Sequence, residues 1–200
     1  ADHGSHDDIR ACAAEILERA PQNFTPVGLS MGGYIVFELL RQAPERIDSF
    51  VIIDSSARPD KADQSDRRRE LITLAQTQGV EALAPALVPS MLGRSNREDE
   101  DLLGMMLDMA RETGLARFAN QQKLIMSRVD SRPDLAGFDK PALVIVGEED
   151  VLTPKDVVEE IADGLPQADL AIIPECGHLS PIEAPEAVSA ALEDFLFGEA

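Results

Sequence analysis

Short apolar runs that alternate with helix-like segments constrain this chain more than any other feature of it. Phe24–Leu29, Ser49–Asp54 ("SFVIID"), Ala142–Val146 ("ALVIV") and Leu170–Ile173 are brief, apolar and bounded by turn residues. Their Val and Ile content suits strands buried on both faces. Helical patterns stand between them. Asp7–Ala20 has acids at its start and Ile9, Ala13, Ile16 and Leu17 on one face. Met31–Gln42, Pro154–Ala162 and Pro185–Phe197 also read as helices. Continuous apolar strands joined through helices imply an α/β fold with a parallel sheet covered on both sides.

The middle of the chain has a different character. Ser55 to Lys140 contains no strand-like run. It holds four helical patterns, near Asp66–Thr77, Val80–Met91, Arg97–Arg111 and Leu115–Ser127, punctuated by Gly79, Gly93 and Gly114. No fixed period links them. A chain of 200 residues suits one domain. Residues 1–54 and 141–200 therefore read as the α/β core and residues 55–140 as a helical insertion.

Charge and cysteine usage narrow the function classes. A net charge of -19 argues against nucleic acid as a partner, because phosphate binding needs clustered Lys and Arg. It disfavours anionic membrane surfaces for the same reason. The two cysteines, Cys12 and Cys176, lie in neither a CxxC nor a metal-ligand spacing. Reduced thiols suit the cytoplasm. The longest uncharged run, Ala20–Phe37, is broken by Pro21, Pro26 and three glycines, so no segment reads as membrane-spanning. The opening "ADHGSHDDIR" is polar and acidic, unlike a secretory leader.

The chemistry gathers at Gly28-Leu29-Ser30-Met31-Gly32. G-x-S-x-G by itself is weak, with about 0.07 chance matches expected in a chain of this length. Its context is specific: a strand precedes it and a helix follows. A sharp strand-to-helix turn would project the Ser30 hydroxyl from the C-terminal edge of the sheet. Gly28 and Gly32, lacking Cβ, would let strand and helix approach. The helix N-terminus favours developing negative charge.

A serine hydroxyl needs a base. Of three histidines, His3 and His6 precede the motif, whereas His178 in "PECGHLSPIE" follows a strand and precedes the last helix. That puts His178 at the edge where Ser30 projects. An acid should orient the imidazole. Asp150 in "VIVGEEDVLTP" follows another strand end, with Glu148 and Glu149 beside it. Asp54, ending the "FVIID" strand, points at the same edge and is the alternative acid. The order Ser30, Asp150, His178 is that of the α/β-hydrolase triad.

On these residues the sequence resembles the α/β-hydrolase superfamily. "VGLSMGGY" looks like the nucleophile elbow, "ALVIVGEEDVLTP" like the acid strand and loop, and "AIIPECGHLSPIEAPEAVSAALEDFL" like the histidine loop and closing helix. "APERIDSFVIIDSSA" is similar to the segment after the elbow helix. The resemblance spans nearly the whole chain and puts the helical insertion where such proteins carry a lid. It implies Ser30 as nucleophile, His178 as general base and Asp150 as orienting acid. It also implies the Met31 N–H as one oxyanion donor. The implied activity is hydrolysis of a small ester, thioester or lactone, with a small-molecule acyl substrate and no metal or organic cofactor. C–C hydrolysis, lyase or perhydrolase chemistry on the same triad stays open. So does a catalytically silent protein, either a binding protein or a truncated, inactive fragment.

One departure stands out. Family members usually carry several strands and an oxyanion loop before the elbow helix. Only residues 1–23 precede the Phe24–Leu29 strand here, and "ADHGS" resembles the loop after the fourth family strand. The expectation is a half-sheet with an exposed edge, belonging to a longer chain or completed by another copy.

Other features have plainer readings. His3 and His6 lack zincin spacing and read as solvated loop residues. Met105, Met106 and Met109 read as insertion core, or as the wall of an adaptable apolar pocket. Arg67-Arg68-Arg69 reads as a solvated helix face. Cys176 reads as a buried, inert thiol.

Overall fold

The apolar runs pair in parallel, in the order in which they occur along the chain. The computed structural model describes residues 1–198. Its elements are α1 (Ile9–Arg19), β1 (Val27–Leu29), α2 (Met31–Gln42), β2 (Phe50–Ile53), α3 (Ala62–Gln78), α4 (Ala84–Met91), α5 (Glu100–Ser127), β3 (Ala142–Gly147), α6 (Lys155–Gly164), β4 (Ala168–Ile173), α7 (Ser180–Glu183) and α8 (Pro185–Phe197). The sheet order is β1-β2-β3-β4, with Gly28 beside Ile52, Ile52 beside Val144, and Val144 beside Leu170. This is the α/β fold expected from the alternation of strands and helices.

The pleat of β2 and β3 divides the core in two. Phe50, Ile52, Val144 and Val146 face α1, α2 and α6, meeting Ile9, Phe37, Leu40, Val158 and Ile161. Val51, Ile53, Leu143 and Ile145 face the other way, toward Val188, Ala191, Leu192 and Phe195 of α8. Both faces of the central strands are thus covered, which is why their sequence shows no polar alternation. On the first face, the Phe37 and Phe138 rings stack with centroids 6.1 Å apart.

Several boundaries differ from expectation for identifiable reasons. β1 begins at Val27, not Phe24, because Pro26 has no N–H for a ladder. Phe24 makes only an isolated bridge to Ile47. β4 starts at Ala168 and is an edge strand, so Leu170 and Ile172 are partly exposed instead of buried. β1 forms the opposite edge, and among the described residues no strand pairs with its outer side.

The insertion comprises α3, α4 and α5, with a small core of its own. Leu71, Ala75 and Leu83 are buried there against Leu74, Leu87 and Phe118. The two helices expected around Gly114 are joined in α5, which kinks at that glycine (φ 68°, ψ 169°). An L-residue would be strained at that positive φ. Among the described residues no helix is long and apolar enough to cross a membrane.

The core is expected to respond to substitution as a close-packed solid does. Phe50 is completely buried, so Phe50→Ala should cost about 3–5 kcal/mol in urea unfolding. Phe197, which is 81% exposed, should change stability by less than about 0.5 kcal/mol when replaced by Ala.

Candidate active site

The site begins with a strained turn. Between β1 and α2, Ser30 adopts φ 50° and ψ -110°, a conformation that side-chain-bearing residues rarely hold. Three hydrogen bonds keep it there. The Ser30 N–H donates to the Ile53 carbonyl at 2.8 Å, while the Ser30 carbonyl accepts from the Gly33 N–H at 3.0 Å and the Ser55 hydroxyl at 2.8 Å.

The glycines divide the work differently from the expectation. A Cβ at Gly28 would collide with the Gly32 carbonyl, and one at Gly33 would collide with Ser55 Oγ. A Cβ at Gly32 would meet nothing within 4 Å. Gly28 and Gly33 therefore set the close approach of strand and helix, and Gly32 does not.

The Ser30 hydroxyl makes no capping bond to α2. It lies 2.8 Å from His178 Nε2, and His178 Nδ1 lies 2.8 Å from Asp150 Oδ2. With the proton assigned to Nδ1, the ring donates to Asp150 and accepts from Ser30. Asp150 is held from several directions. Its Oδ1 accepts the Leu152 and Thr153 N–H groups at 2.8 and 3.0 Å, and its Oδ2 accepts the Thr153 hydroxyl at 2.5 Å. Burial pushes the Asp150 carboxyl upward, but the hydrogen bonds and charge of His178, with Thr153, outweigh it and hold the group below the usual carboxylate range. Met31 opens α2, so its N–H has no intrahelical acceptor.

The rival acids point elsewhere. Glu149 accepts the Arg94 N–H at 2.6 Å, and Glu148 faces the Glu175 N–H at 3.4 Å. Asp54 is completely buried, but His178 is not its partner. Its Oδ1 accepts the Gly147 N–H at 2.8 Å, and its Oδ2 accepts the N–H and hydroxyl of Ser180 at 3.2 and 2.6 Å. The alternative assignment of Asp54 as orienting acid is corrected on this geometry: its carboxylate is saturated by other donors. Burial raises it to about 6, against the hydrogen bonds from Ser180 and Gly147.

The loop carrying His178 is tied to the insertion. The N–H groups of His178 and Leu179 both donate to the Met91 carbonyl, at 3.0 and 3.2 Å. Glu183 accepts from the Gly93, Asn96, Gly177 and Leu179 nitrogens at 2.7–3.3 Å. Sequence reasoning missed Glu183, whose partners in the insertion are about 90 residues away. It also missed Thr153, although an Asp followed three residues later by Thr is a readable turn signature.

A cavity of about 800 Å³ opens between this edge of the sheet and the insertion, lined in part by Ser30, Tyr34, Leu71, Met106, Phe118 and His178. Met109 also lines it, although it is as exposed as Met105, which is not part of the lining. Arg68 turns into the cavity, so the Arg67–Arg69 run is not uniformly a solvated face. Cys176 is buried, and burial pushes its thiol up to about 12. His6 pairs with Glu15, and His3 Nδ1 meets the Gln121 amide at 3.3 Å. Among the described residues no group of three His, Cys, Asp or Glu could hold a metal ion.

Two outcomes follow. Gly28→Ala should lower the free energy of unfolding by about 1–3 kcal/mol through overpacking, with Gly32→Ala costing clearly less. For Asp54, the folded value near 6 lies above the ordinary 3.8. The folded protein therefore retains a proton that the unfolded chain has lost between about pH 4 and 6. Over that window the Asp54 contribution falls as pH rises, by about 3 kcal/mol in all. Asp150 has the opposite sign, and its contribution is lost as pH falls below about 4. Urea titrations at pH 4 to 7 should show the difference between wild type and Asp54→Asn declining to about pH 6 and flat above it.

The chain is similar to known proteins. The model of the alpha/beta hydrolase fold family matches residues 2–185. BpoC of Mycobacterium tuberculosis, named provisionally as a non-heme bromoperoxidase, is 30% identical over 193 residues, covering 92% of this chain and 71% of its own. A pimeloyl-[acyl-carrier protein] methyl ester esterase of Nitrosomonas europaea is 28% identical, covering 90% of this chain and 77% of its own. Among solved structures, an esterase from Thermogutta terrifontis superposes with a TM-score of 0.86 at 28% identity, over 94% of this chain and 72% of that one. The enol-lactonase from Burkholderia xenovorans gives 0.82 at 28% identity, over 94% and 73%. The chain belongs to the alpha/beta hydrolase family and is an enzyme of the hydrolase type.

Proposed function

We propose that this enzyme cleaves a small ester, thioester or lactone through an acyl-enzyme formed on Ser30. The observation that carries the reading is the unbroken hydrogen-bond chain from Ser30 Oγ through His178 to Asp150. As Oγ bonds to the substrate carbonyl carbon, His178 Nε2 takes its proton. The resulting imidazolium keeps its Nδ1–H on the Asp150 carboxylate, which Leu152 and Thr153 hold in position. The Met31 N–H, free of any intrahelical acceptor, receives the developing oxyanion. Collapse breaks the bond to the leaving oxygen or sulfur, which takes the proton from His178. Water then attacks the acyl-enzyme with His178 again as base, and collapse breaks the acyl–Oγ bond, releasing the acid as Ser30 takes the proton back from His178.

The insertion acts as a lid that bounds the acyl pocket and limits water around the intermediate. The names of the Thermogutta esterase and the Burkholderia enol-lactonase support an acyl–oxygen bond as the one broken. The high value of the buried Cys176 thiol supports serine over cysteine as nucleophile.

The test is an intact mass before and after a fluorophosphonate probe, together with a panel of short acyl esters. One adduct is expected on the wild type and none on Ser30→Ala. His178→Ala should lower kcat/KM by at least about 1,000-fold. No adduct on folded wild-type protein would overturn the reading. An adduct without turnover of any acyl ester would shift it to the same triad acting on another bond.

A further inference from the structure

Deep in the cavity wall, two arginines share one carboxylate. Arg128 donates from Nη1 to Asp60 Oδ1 at 2.5 Å, and Arg68 donates from Nε to Asp60 Oδ2 at 2.9 Å. The Arg128 and Asp60 side chains are only 6% and 3% exposed. Arg68 and Arg128 both line the cavity that holds Ser30 and His178, whereas Asp60 does not reach its wall. Burial works against the Asp60 charge, but the two guanidinium groups overcome it and keep the carboxyl below its usual range. Two cations on one anion leave a surplus positive charge facing the cavity.

Arg128 is also fixed in direction. Its Nε donates to the Arg58 carbonyl and its Nη1 to the Ile125 carbonyl, both at 3.0 Å. Its guanidinium lies over the Tyr34 ring, 4.3 Å from the centroid. Among the described residues Nη2 has no hydrogen-bond partner. No buried side-chain nitrogen or oxygen lacks a partner there, so Nη2 is accessible, on a residue that lines the cavity. A buried, rigid guanidinium with donors to spare is built to meet a planar anion.

The rest of the wall points the same way. Lys61, Arg58 and Arg67 lie around the cavity against a single acid, Asp63, in a protein whose net charge is -19. Arg58 and Arg67 are engaged by Glu160 and Glu70, and Lys61 is exposed. That leaves the Arg128–Arg68 pair as the inner cationic feature. The lining also includes apolar residues, among them Leu71, Leu87, Met106 and Phe118.

We infer that Arg128, backed by Arg68 and Tyr34, forms an anion subsite that selects esters carrying a carboxylate. The inference rests on Ser30 being the nucleophile. Tyr34 lies four residues beyond Ser30, about 6 Å along the α2 axis, so a short apolar spacer separates the carboxylate from the scissile carbonyl. The carboxylate can sit on the acyl or the alcohol part of the ester, and the two sources are separable by experiment.

The experiment compares kcat/KM for three substrate sets. Monoethyl esters of four- to eight-carbon straight-chain dicarboxylic acids carry the anion on the acyl side. Acetate esters of hydroxy acids carry it on the alcohol side. The matched neutral diesters carry none. Wild-type protein should favour one anionic set over its neutral match by about 10- to 100-fold, the scale of a charge-assisted hydrogen bond. In Arg128→Gln that ratio should fall to near one, and Arg128→Lys should restore part of it. The ratio is insensitive to partial misfolding, which lowers both activities together. Equal turnover of anionic and neutral esters by wild type would overturn the inference, as would a preference that survives in Arg128→Gln. Titration calorimetry with the free dicarboxylates separates this result from the fate of Ser30. Saturable binding lost in Arg128→Gln supports the subsite even if no ester is cleaved. Absence of binding, with esters cleaved without preference, removes the subsite and leaves the hydrolase reading intact.

Discussion

The Asp54 carboxylate sits where β2 ends, and it fastens two other pieces of chain to that point. One oxygen holds the Gly147 amide at the end of β3, and the other holds Ser180, two residues after His178. The loop bearing Asp150 leaves from the first of these anchors, and the loop bearing His178 ends on the second. A hydrogen-bond chain with two 2.8 Å links requires both loops to keep a fixed relation to Ser30. Ser30 is itself held to the end of β2 through its bond to the Ile53 carbonyl. The candidate site therefore depends on the ends of parallel strands lying side by side, with Asp54 as the cross-tie. Keeping a carboxylate there is costly, which is the physical meaning of its raised value.

Charge is distributed unevenly over the molecule. The surface is strongly acidic, yet the inner wall of the cavity presents guanidinium groups on a buried carboxylate. The low dielectric around that cluster strengthens its field where exposed ion pairs such as Arg69–Asp66 are screened. On the proposed reading, binding and chemistry would occupy opposite ends of one short path. Ser30 and His178 stand at the edge of the sheet, and Arg128 faces Tyr34 on α2.

Much of this is legible in the residues alone. The strands were legible because β2 and β3 are covered on both faces and so are apolar throughout. Ser30, Asp150 and His178 stood out because each follows a strand end, where a parallel sheet gathers its loops. What could not be read depends on contacts distant along the chain. Arg128 looks like any basic residue after a helix until it is seen bound to Asp60, 68 residues earlier. Glu183 looks like one acid among many until its four donors are seen. Gly32 and Gly33 are neighbours of the same type, and only the position of Ser55 distinguishes the one that must be glycine. Asp54 and Asp150 both end near the same edge, and the choice between them was decided by which donors Asp54 already holds.

The bonds at Met91 and Glu183 bear on how such a fold diversifies. The helical insertion is not a detachable cap set on an independent core, because its α4 end supplies the carbonyl that receives two amides of the histidine loop. Segments earlier in the insertion, through α3 and the start of α4, make neither of these bonds to the histidine loop. From Met91 to Asn96 the insertion is part of the scaffold that positions the His178 loop, through its bonds to that loop and to Glu183. Recombination boundaries drawn at the ends of the insertion would cut through that shared unit, whereas boundaries drawn before Met91 would leave it whole.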